Sequence, residues 1–307
     1  MTIAERINES WKRDGIAGIL QRTELYLLRR IGWRAEAWSR DLDYRLTEKA
    51  VLRQYGSLLK KNELFRNRHE GRRCFVIGNG PSLKEQDLAP LADEVTFVVN
   101  YFQLHPIISN TWQPTYYCLS DPAYFDGREP VESIRDIAAK VPAAPFFVPY
   151  YAYDFLQSTR ALPADRTYYV GLAGGKEEEW TEKPDFTRIM PGFRTVVQLA
   201  IMAAMYMGCS PIYLMGLDHD WLSHGGTPTN FYTKEDAKSQ PQGNIGNWDY
   251  KSLMLALTTI WNVYEMHKRI AANCGIEIIN VTHGGFLDVF ERARYEDVIS
   301  SQPCKQS

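Results

Sequence analysis

The chain has 307 residues, 45% hydrophobic and 23% charged, with a formal net charge of −2. This is the composition of a soluble globular protein with a sizeable core, and no window approaches the roughly 20 consecutive apolar residues that would make it an integral membrane protein. The charge is uneven, +7 over residues 1–73 and −9 over the rest, so the two parts face different neighbours.

Residues 1–70 read as helices with few breakers, a basic helical extension that Asn67-Arg68-His69-Glu70-Gly71 links to a main domain over 71–307. Ile16, Ile19, Leu20, Leu25, Tyr26, Leu27, Leu28, Ile31 and Trp33 alternate there with Arg22, Arg29, Arg30 and Arg34. Such a composition permits residues 1–60 to lie on an anionic membrane surface, and an amphipathic helix packed on its own domain or on a second subunit shows the same periodicity. Nucleic acid is not an expected partner, since basic and acidic residues are mixed and no recognised module accompanies them. The first residues lack the apolar core and cleavage site of a secretion signal. The expectation is therefore a cytoplasmic homo-oligomer, with peripheral contact at the inner membrane open to residues 1–60. Cys74, Cys118, Cys209, Cys274 and Cys304 are odd in number and far apart, which suits free thiols rather than disulfides or a zinc site.

From residue 74 on, short apolar strands alternate with helices. The strands are expected over Cys74 to Ile77, Val95 to Val99, Tyr116 to Leu119, Phe146 to Val148, Ile212 to Met215 and Ile276 to Ile279. Helices are expected just after the first strand and over Ile134 to Lys140, Val196 to Met207 and Ser252 to Asn273, with Gly208 placed to end the third. The alternation predicts an α/β, Rossmann-like fold with a largely parallel sheet covered by helices. Segments 171–188 and 223–248 read as surface insertions.

In such a sheet, ligands lie beyond the carboxyl ends of the strands. That rule selects Asn79 and Ser82 after the first strand, Asn100 after the second, Ser120 and Asp121 after the third, and Asp218, His219 and Asp220 after Ile212 to Met215. Gly78 and Gly80, in Gly78-Asn79-Gly80-Pro81-Ser82-Leu83, let a backbone turn approach a phosphate closely, although an unliganded strand-to-helix turn has the same composition. Asp218-His219-Asp220 supplies an imidazole between two carboxylates, and His224 lies in a glycine-rich segment that could carry it over a ligand. The Tyr232 phenol could donate to a leaving phosphate, although such an aromatic more often anchors its own loop. His283 has a plausible site position and an equally plausible turn role, whereas His69, His105 and His267 read as structural.

The blocks Ile77 to Lys84, Val99-Asn100, Pro191 to Met207 and Ile212 to Asp218 resemble the bacterial sialyltransferases that use CMP-sialic acid. Together with Gly216 to Asp220 and the tail Gly284 to Phe290, they resemble still more the domain family labelled 6-hydroxymethylpterin pyrophosphokinase-like. That family is met among surface-polysaccharide and flagellin-glycosylation proteins, and the likeness covers roughly residues 62–300. It implies a nucleotide-sugar donor, with Asn79, Gly80 and Asn100 around cytidine and phosphate, Asp121 standing where the sialyltransferases have Asn, and Thr195 and Asp218 also at the nucleotide. Where the sialyltransferases carry a basic histidine, this chain has Gly246-Asn247-Trp248-Asp249-Tyr250. The base then falls to His219, His224, His283, Asp220 or Asp249.

The activity implied is inverting transfer of a sialic-acid-like (nonulosonic) sugar from a CMP donor to a glycan or glycoprotein, without a metal or other cofactor. The alternatives are an ATP-dependent pyrophosphokinase using Mg²⁺ on Asp121, Asp218 or Asp220, and a non-catalytic nucleotide-binding assembly module.

Overall fold

The computed structural model describes residues 3–174, 180–224, 229–233 and 249–300, with side chains from residue 24 onward. The chain divides into two compact units, Met1–Thr47 and Glu48–Ser307. The first unit is the leading part of α1 (Ile3–Lys60), one helix of 58 residues where several were expected. The reason is local. The segment contains no proline, and its four glycines each cost a helix only about 1 kcal/mol.

The second unit is built on nine parallel strands: β1 (Cys74–Ile77), β2 (Val95–Val99), β3 (Tyr116–Cys118), β4 (Phe146–Pro149), β5 (Thr167–Ala173), β6 (Ile189–Pro191), β7 (Ile212–Met215), β8 (Ile278–Asn280) and β9 (Glu291–Arg292). Their spatial order is β6-β5-β4-β3-β2-β1-β7-β8-β9. The chain thus runs outward from β1 to β6 and returns to the other side of β1, which puts the reversal of strand order between β1 and β7. Because Ile77 pairs with Val98 on one side and Met215 on the other, the exits of the three strands are level. β1, β2, β3, β4 and β7 are buried along their whole length, as their unbroken apolar runs require of strands covered on both faces.

Among the described residues, the other α-helices of the unit are α2 (Val131–Lys140), α3 (Tyr153–Thr159), α4 (Val196–Tyr206) and α5 (Tyr250–Asn273), and a short α6 (Tyr295–Ser300) follows β9. Ten of the eleven residues of α4 are buried, in the main core cluster with β1, β2 and β7. Gly208, at φ +78°, ends that run as its position predicts, and an added Cβ would come within 3.0 Å of the Glu70 Cα. α5 starts on Asp249, whose Oδ1 accepts from the Ser252 N–H at 2.9 Å. Its buried stripe, Leu253, Leu257, Ile260, Tyr264, His267 and Ile270, follows helical spacing.

Several expectations need correction. The glycine turn leads into a 3-10 turn of five residues, Pro81–Glu85, not an α-helix; Gln86 then turns extended while its side chain donates to the Val281 carbonyl at 2.8 Å. Segment 171–188 is not an insertion throughout, because β5 runs to Ala173 and pairs with β6, and Phe186 is fully buried. The acidic run Lys176 to Glu179 lies outside the described residues. The last predicted strand is shifted to Ile278–Asn280. The linker is fastened rather than loose: the N–H groups of Asn67, His69 and Gly71 donate to the carbonyls of Tyr206, Met207 and Gly208 at 3.1, 2.9 and 2.9 Å. Cys74, Cys118, Cys209 and Cys274 are free thiols, as expected, and Cys304 lies outside the described residues.

Candidate functional site

The glycine turn and the exit of β7 pack directly on each other. The Gly78 N–H donates to the Met215 carbonyl and the Gly80 N–H to the Gly216 carbonyl, both at 2.9 Å. A Cβ on Gly78 would lie 2.4 Å from the Gly216 oxygen, and one on Gly80 would overlap the Asp218 carboxylate at 1.6 Å. Ser82 completes the junction, donating from N–H and Oγ to the Asp218 carboxylate at 3.2 and 2.8 Å. In this arrangement the N–H groups of Gly78 and Gly80 and both donors of Ser82 are occupied within the protein. The glycines serve the close approach of two strand exits. Asp218 is likewise turned inward and buried; burial raises its carboxyl pKa, the Ser82 hydrogen bonds oppose that rise, and the Asp220 charge adds to it.

Asn79 and Asn100 behave differently. The Asn79 Nδ2 donates to the Val99 carbonyl at 3.1 Å, so its side chain reaches across to the end of β2, next to Asn100. Asn100 sits in the left-handed region at φ +47°, where asparagine is tolerated better than most side chains, and its carbonyl accepts from the Tyr117 hydroxyl at 2.5 Å. The side-chain oxygens of Asn79 and Asn100 are buried without a hydrogen bond, although both residues remain partly accessible. A buried, unsatisfied acceptor costs roughly 1–3 kcal/mol, and these two lie at the exits of neighbouring strands, where a bound donor would satisfy them.

Residues 229–233 fold back onto this place. The Phe231 N–H donates to the Asn79 carbonyl at 2.9 Å, which brings the Tyr232 phenol beside the Asn79 amide. The Tyr232 ring lies 5.7 Å from that of Tyr101, whose hydroxyl donates to Glu129 Oε2 at 2.6 Å. Burial keeps the Tyr232 phenol protonated well above its ordinary range. Burial also raises the Glu129 carboxyl pKa, against the Tyr101 hydrogen bond, and the charge of Asp121 adds to the rise. Asp121 caps its own turn, accepting from the Ala123 N–H at 2.9 Å, and remains partly exposed. Tyr101 and Glu129 were not anticipated. Tyr101 directly follows Asn100 and could have been noticed, but nothing in the sequence around Glu129 announces that it is buried.

The histidines separate sharply. His219, at φ +47°, is boxed by the rings of Trp221, Trp261 and Tyr264 at 5.1, 5.6 and 5.4 Å. Its Nε2 meets the Tyr264 hydroxyl at 2.7 Å, its Nδ1 is buried without a partner, and burial lowers its pKa to about 4 in spite of Asp220. It is therefore a neutral, enclosed imidazole. Thr195 lies beside the Tyr264 hydroxyl at the start of α4, where its N–H donates to Gln198 Oε1 at 3.1 Å. His224 is exposed, with Nε2 on Asp220 Oδ2 at 3.0 Å, and Thr229 Oγ1 donates to Asp220 Oδ1 at 3.2 Å. His283 pairs with Glu85 on the surface, its Nδ1 at 2.6 Å. Among the described residues, no group of three or more His, Cys, Asp or Glu side chains is arranged to hold a metal ion. Of the 223–248 segment, only the parts at 223–224 and 229–233 are described, and Gly246 to Trp248 lie outside.

The sequence pattern of a family described as 6-hydroxymethylpterin diphosphokinase MptE-like matches residues 49–224, more than half of the chain. No curated protein matches by sequence. Among solved structures, the fold is similar to that of the sialyltransferase CstII from Campylobacter jejuni in complex with cytidine-5'-monophosphate, at 14% identity and a TM-score of 0.43, covering 73% of this chain and 85% of that one. The same enzyme with CMP-3FNeuAc gives 12% identity and a TM-score of 0.45 over 75% and 89% of the two chains. The monofunctional alpha-2,3-sialyltransferase Cst-I from Campylobacter jejuni gives 14% and 0.42 over 72% and 79%.

Proposed function

The chain belongs to the 6-hydroxymethylpterin diphosphokinase MptE-like family, and from that premise and its site chemistry we propose that it is a glycosyltransferase. In this reading it moves a sialic-acid-like (nonulosonic) sugar from a CMP donor to a hydroxyl of a surface glycan or glycoprotein. The observation that carries the reading is the pair of buried, unpartnered amide oxygens on Asn79 and Asn100 at adjacent strand exits. Two fixed acceptors call for a ligand with two donors, which the exocyclic amine of cytosine and the hydroxyls of ribose supply. The surroundings are phenolic and acidic rather than cationic, which suits one phosphate better than three.

His224 is the base of the proposed reaction and Asp220 orients it. With Nε2 held by the carboxylate, Nδ1 takes the proton of the acceptor hydroxyl. The acceptor oxygen then bonds the anomeric carbon from the face opposite CMP, inverting it. The bond from that carbon to the phosphate oxygen breaks, and the electron pair leaves with CMP. Tyr232, kept protonated by burial, donates to the oxygen that gains charge. His219 acts at one remove, holding the Tyr264 and Thr195 side of the β7 exit in place.

A specific observation favours a second reading, the diphosphokinase of the family's description: Asp121 and Glu129 bring two interacting carboxylates to the same loops. With triphosphate oxygens they would hold Mg²⁺, which would neutralise charge on the transferred group. Calorimetric titration with CMP, CDP, UDP, GDP and ATP, each with and without Mg²⁺, separates the two. Metal-independent CMP binding that is weakened about tenfold in Asn100→Gly supports glycosyl transfer. Mg²⁺-dependent ATP binding without CMP binding replaces it with the diphosphokinase, and binding of none of them removes both.

A further inference from the structure

Within Met1–Thr47, the helix carries an unusual exposed face. Leu27, Leu28, Ile31, Trp38, Leu42 and Leu46 are between 41% and 69% exposed, an arrangement that soluble surfaces rarely sustain without a partner. Leu28, Ile31, Ala35, Trp38 and Leu42 follow one another at alternating spacings of three and four, which is the seam of a coiled coil, whereas a single core-facing stripe drifts with the 3.6-residue period. Over residues 27–46 the seam is about 30 Å long at the 1.5 Å rise of a helix. No helix among the described residues is long and apolar enough to cross a membrane.

We propose that this seam pairs with the same segment of a second copy of the chain, antiparallel and about a two-fold axis. The choice of partner and direction comes from complementarity. In an antiparallel pair the alternate seam positions face each other, so Trp38 lies over Ala35 of the second copy, a large side chain against a small one, and Ile31 lies against Leu42. The flanking positions then place Arg34 opposite Asp41 of the second copy, twice by symmetry. Asp41 is already joined to Arg45 of its own helix at 2.6 Å, so the contact extends an existing ion pair. In a parallel pair Trp38 would meet its own copy, and Arg34 and Asp41 would face Ser39 and Leu46, without opposite charges. The six apolar side chains offer on the order of 600 Å² per copy, so a dimer would bury about 1,200 Å², the lower end of the size class of stable interfaces. A self-complementary patch of this kind closes at two copies.

Sedimentation equilibrium of the full chain tests the arrangement. The wild type is expected to be dimeric at micromolar concentration, and Ile31→Glu to be monomeric with unchanged helix content. Arg34→Asp and Asp41→Arg should each weaken the dimer about tenfold, because each substitution sets two pairs of like charges opposite one another. The double variant should return to within about twofold of wild type, since the exchanged charges again face each other. A monomeric wild type, or a dimer indifferent to Ile31→Glu, overturns the proposal. A double variant no better than the singles overturns the antiparallel direction. Flotation of a monomeric wild type with phosphatidylserine vesicles, abolished by Ile31→Glu, would give the seam to a membrane instead.

Discussion

Replacing Gly80 by Ala puts the packing of the two strand exits to a quantitative test. The new Cβ would lie 1.6 Å from Asp218 Oδ2, which Ser82 holds by two hydrogen bonds, and 2.7 Å from the Gly216 carbonyl oxygen, which is backbone. The Asp218 carboxylate must leave, losing the N–H and Oγ hydrogen bonds of Ser82 at 3.2 and 2.8 Å. Hydrogen bonds to a charged group contribute roughly 1.5–3 kcal/mol each, and overpacking adds about 1–3 kcal/mol. Allowing for partial relaxation, the loss should be about 3–5 kcal/mol. In a unit of this size that lowers Tm by roughly 6–15 °C, read by calorimetry or by circular dichroism. Gly56→Ala is the control. Nothing lies within 4 Å of a Cβ there and the residue is inside α1, so it should be neutral or stabilise by up to about 1 kcal/mol. A Gly80→Ala protein melting within 2 °C of wild type, roughly the shift expected of only half a kcal/mol, would refute the claim that these glycines exist for the strand-exit contact.

Further expectations concern the buried histidines and the candidate site. His267 is fully buried with neither ring nitrogen bonded, and burial holds its pKa at about 3 against an ordinary 6.5. A lowered histidine pKa contributes nothing above pH 6.5 and costs stability progressively as pH falls from there toward 3, because only the unfolded chain takes the proton. His267→Leu should therefore flatten the loss of stability between pH 6.5 and 4 in urea titrations and raise neutral-pH stability by about 1–2 kcal/mol, since it removes two unsatisfied polar atoms; an unchanged acid limb would count against it. Asn100→Gly keeps the left-handed backbone accessible and removes only the acceptor, so nucleotide affinity should fall about tenfold by calorimetry with Tm within a few degrees of wild type. Affinity equal to wild type would take Asn100 out of the site. His224→Ala should lower turnover of a CMP-sugar donor by roughly 100-fold or more with little change in CMP binding, and His219→Gln should act mainly on stability. The reverse pattern would return the base to His219.

The sheet was legible because its central strands are short, wholly apolar runs ending in polar residues, and α4 because it is apolar nearly all round and stops at a glycine. Strands β5, β6 and β9 were not. β6 and β9 have three and two residues, too short for any periodicity, and β5 carries a glycine that weakens its signal. At the candidate site, position in chain order was readable but the direction of each side chain was not. Asn79, Asp218 and His219 look equivalent in sequence, yet one presents an unpartnered acceptor, one is spent on Ser82, and one is enclosed by three aromatic rings. What separates them is tertiary contact: the level exits of β1 and β7 press two loops together, while α5 brings Trp261 and Tyr264 from far along the chain to close over His219. The carboxylate of Glu129 shows the same limit from the other side, since its burial depends on Tyr101 and on loops that no local pattern links.

The stitching of Asn67, His69 and Gly71 onto the end of α4 also sets where the chain can be cut. Asn62 works with it, fully buried and donating to the Tyr169 and Phe186 carbonyls at 2.8 Å each, and Phe65 is buried among Tyr116, Phe147 and Tyr168. Residues 62–71 are thus a rivet through the sheet-bearing unit rather than a tether attached to it. A fragment begun at residue 71 would expose two carbonyls, of Tyr206 and Met207, at the end of its most deeply buried helix and an aromatic socket left empty by Phe65. A fragment begun near residue 48 keeps both filled, so a protease that trims the leading helix should stall there.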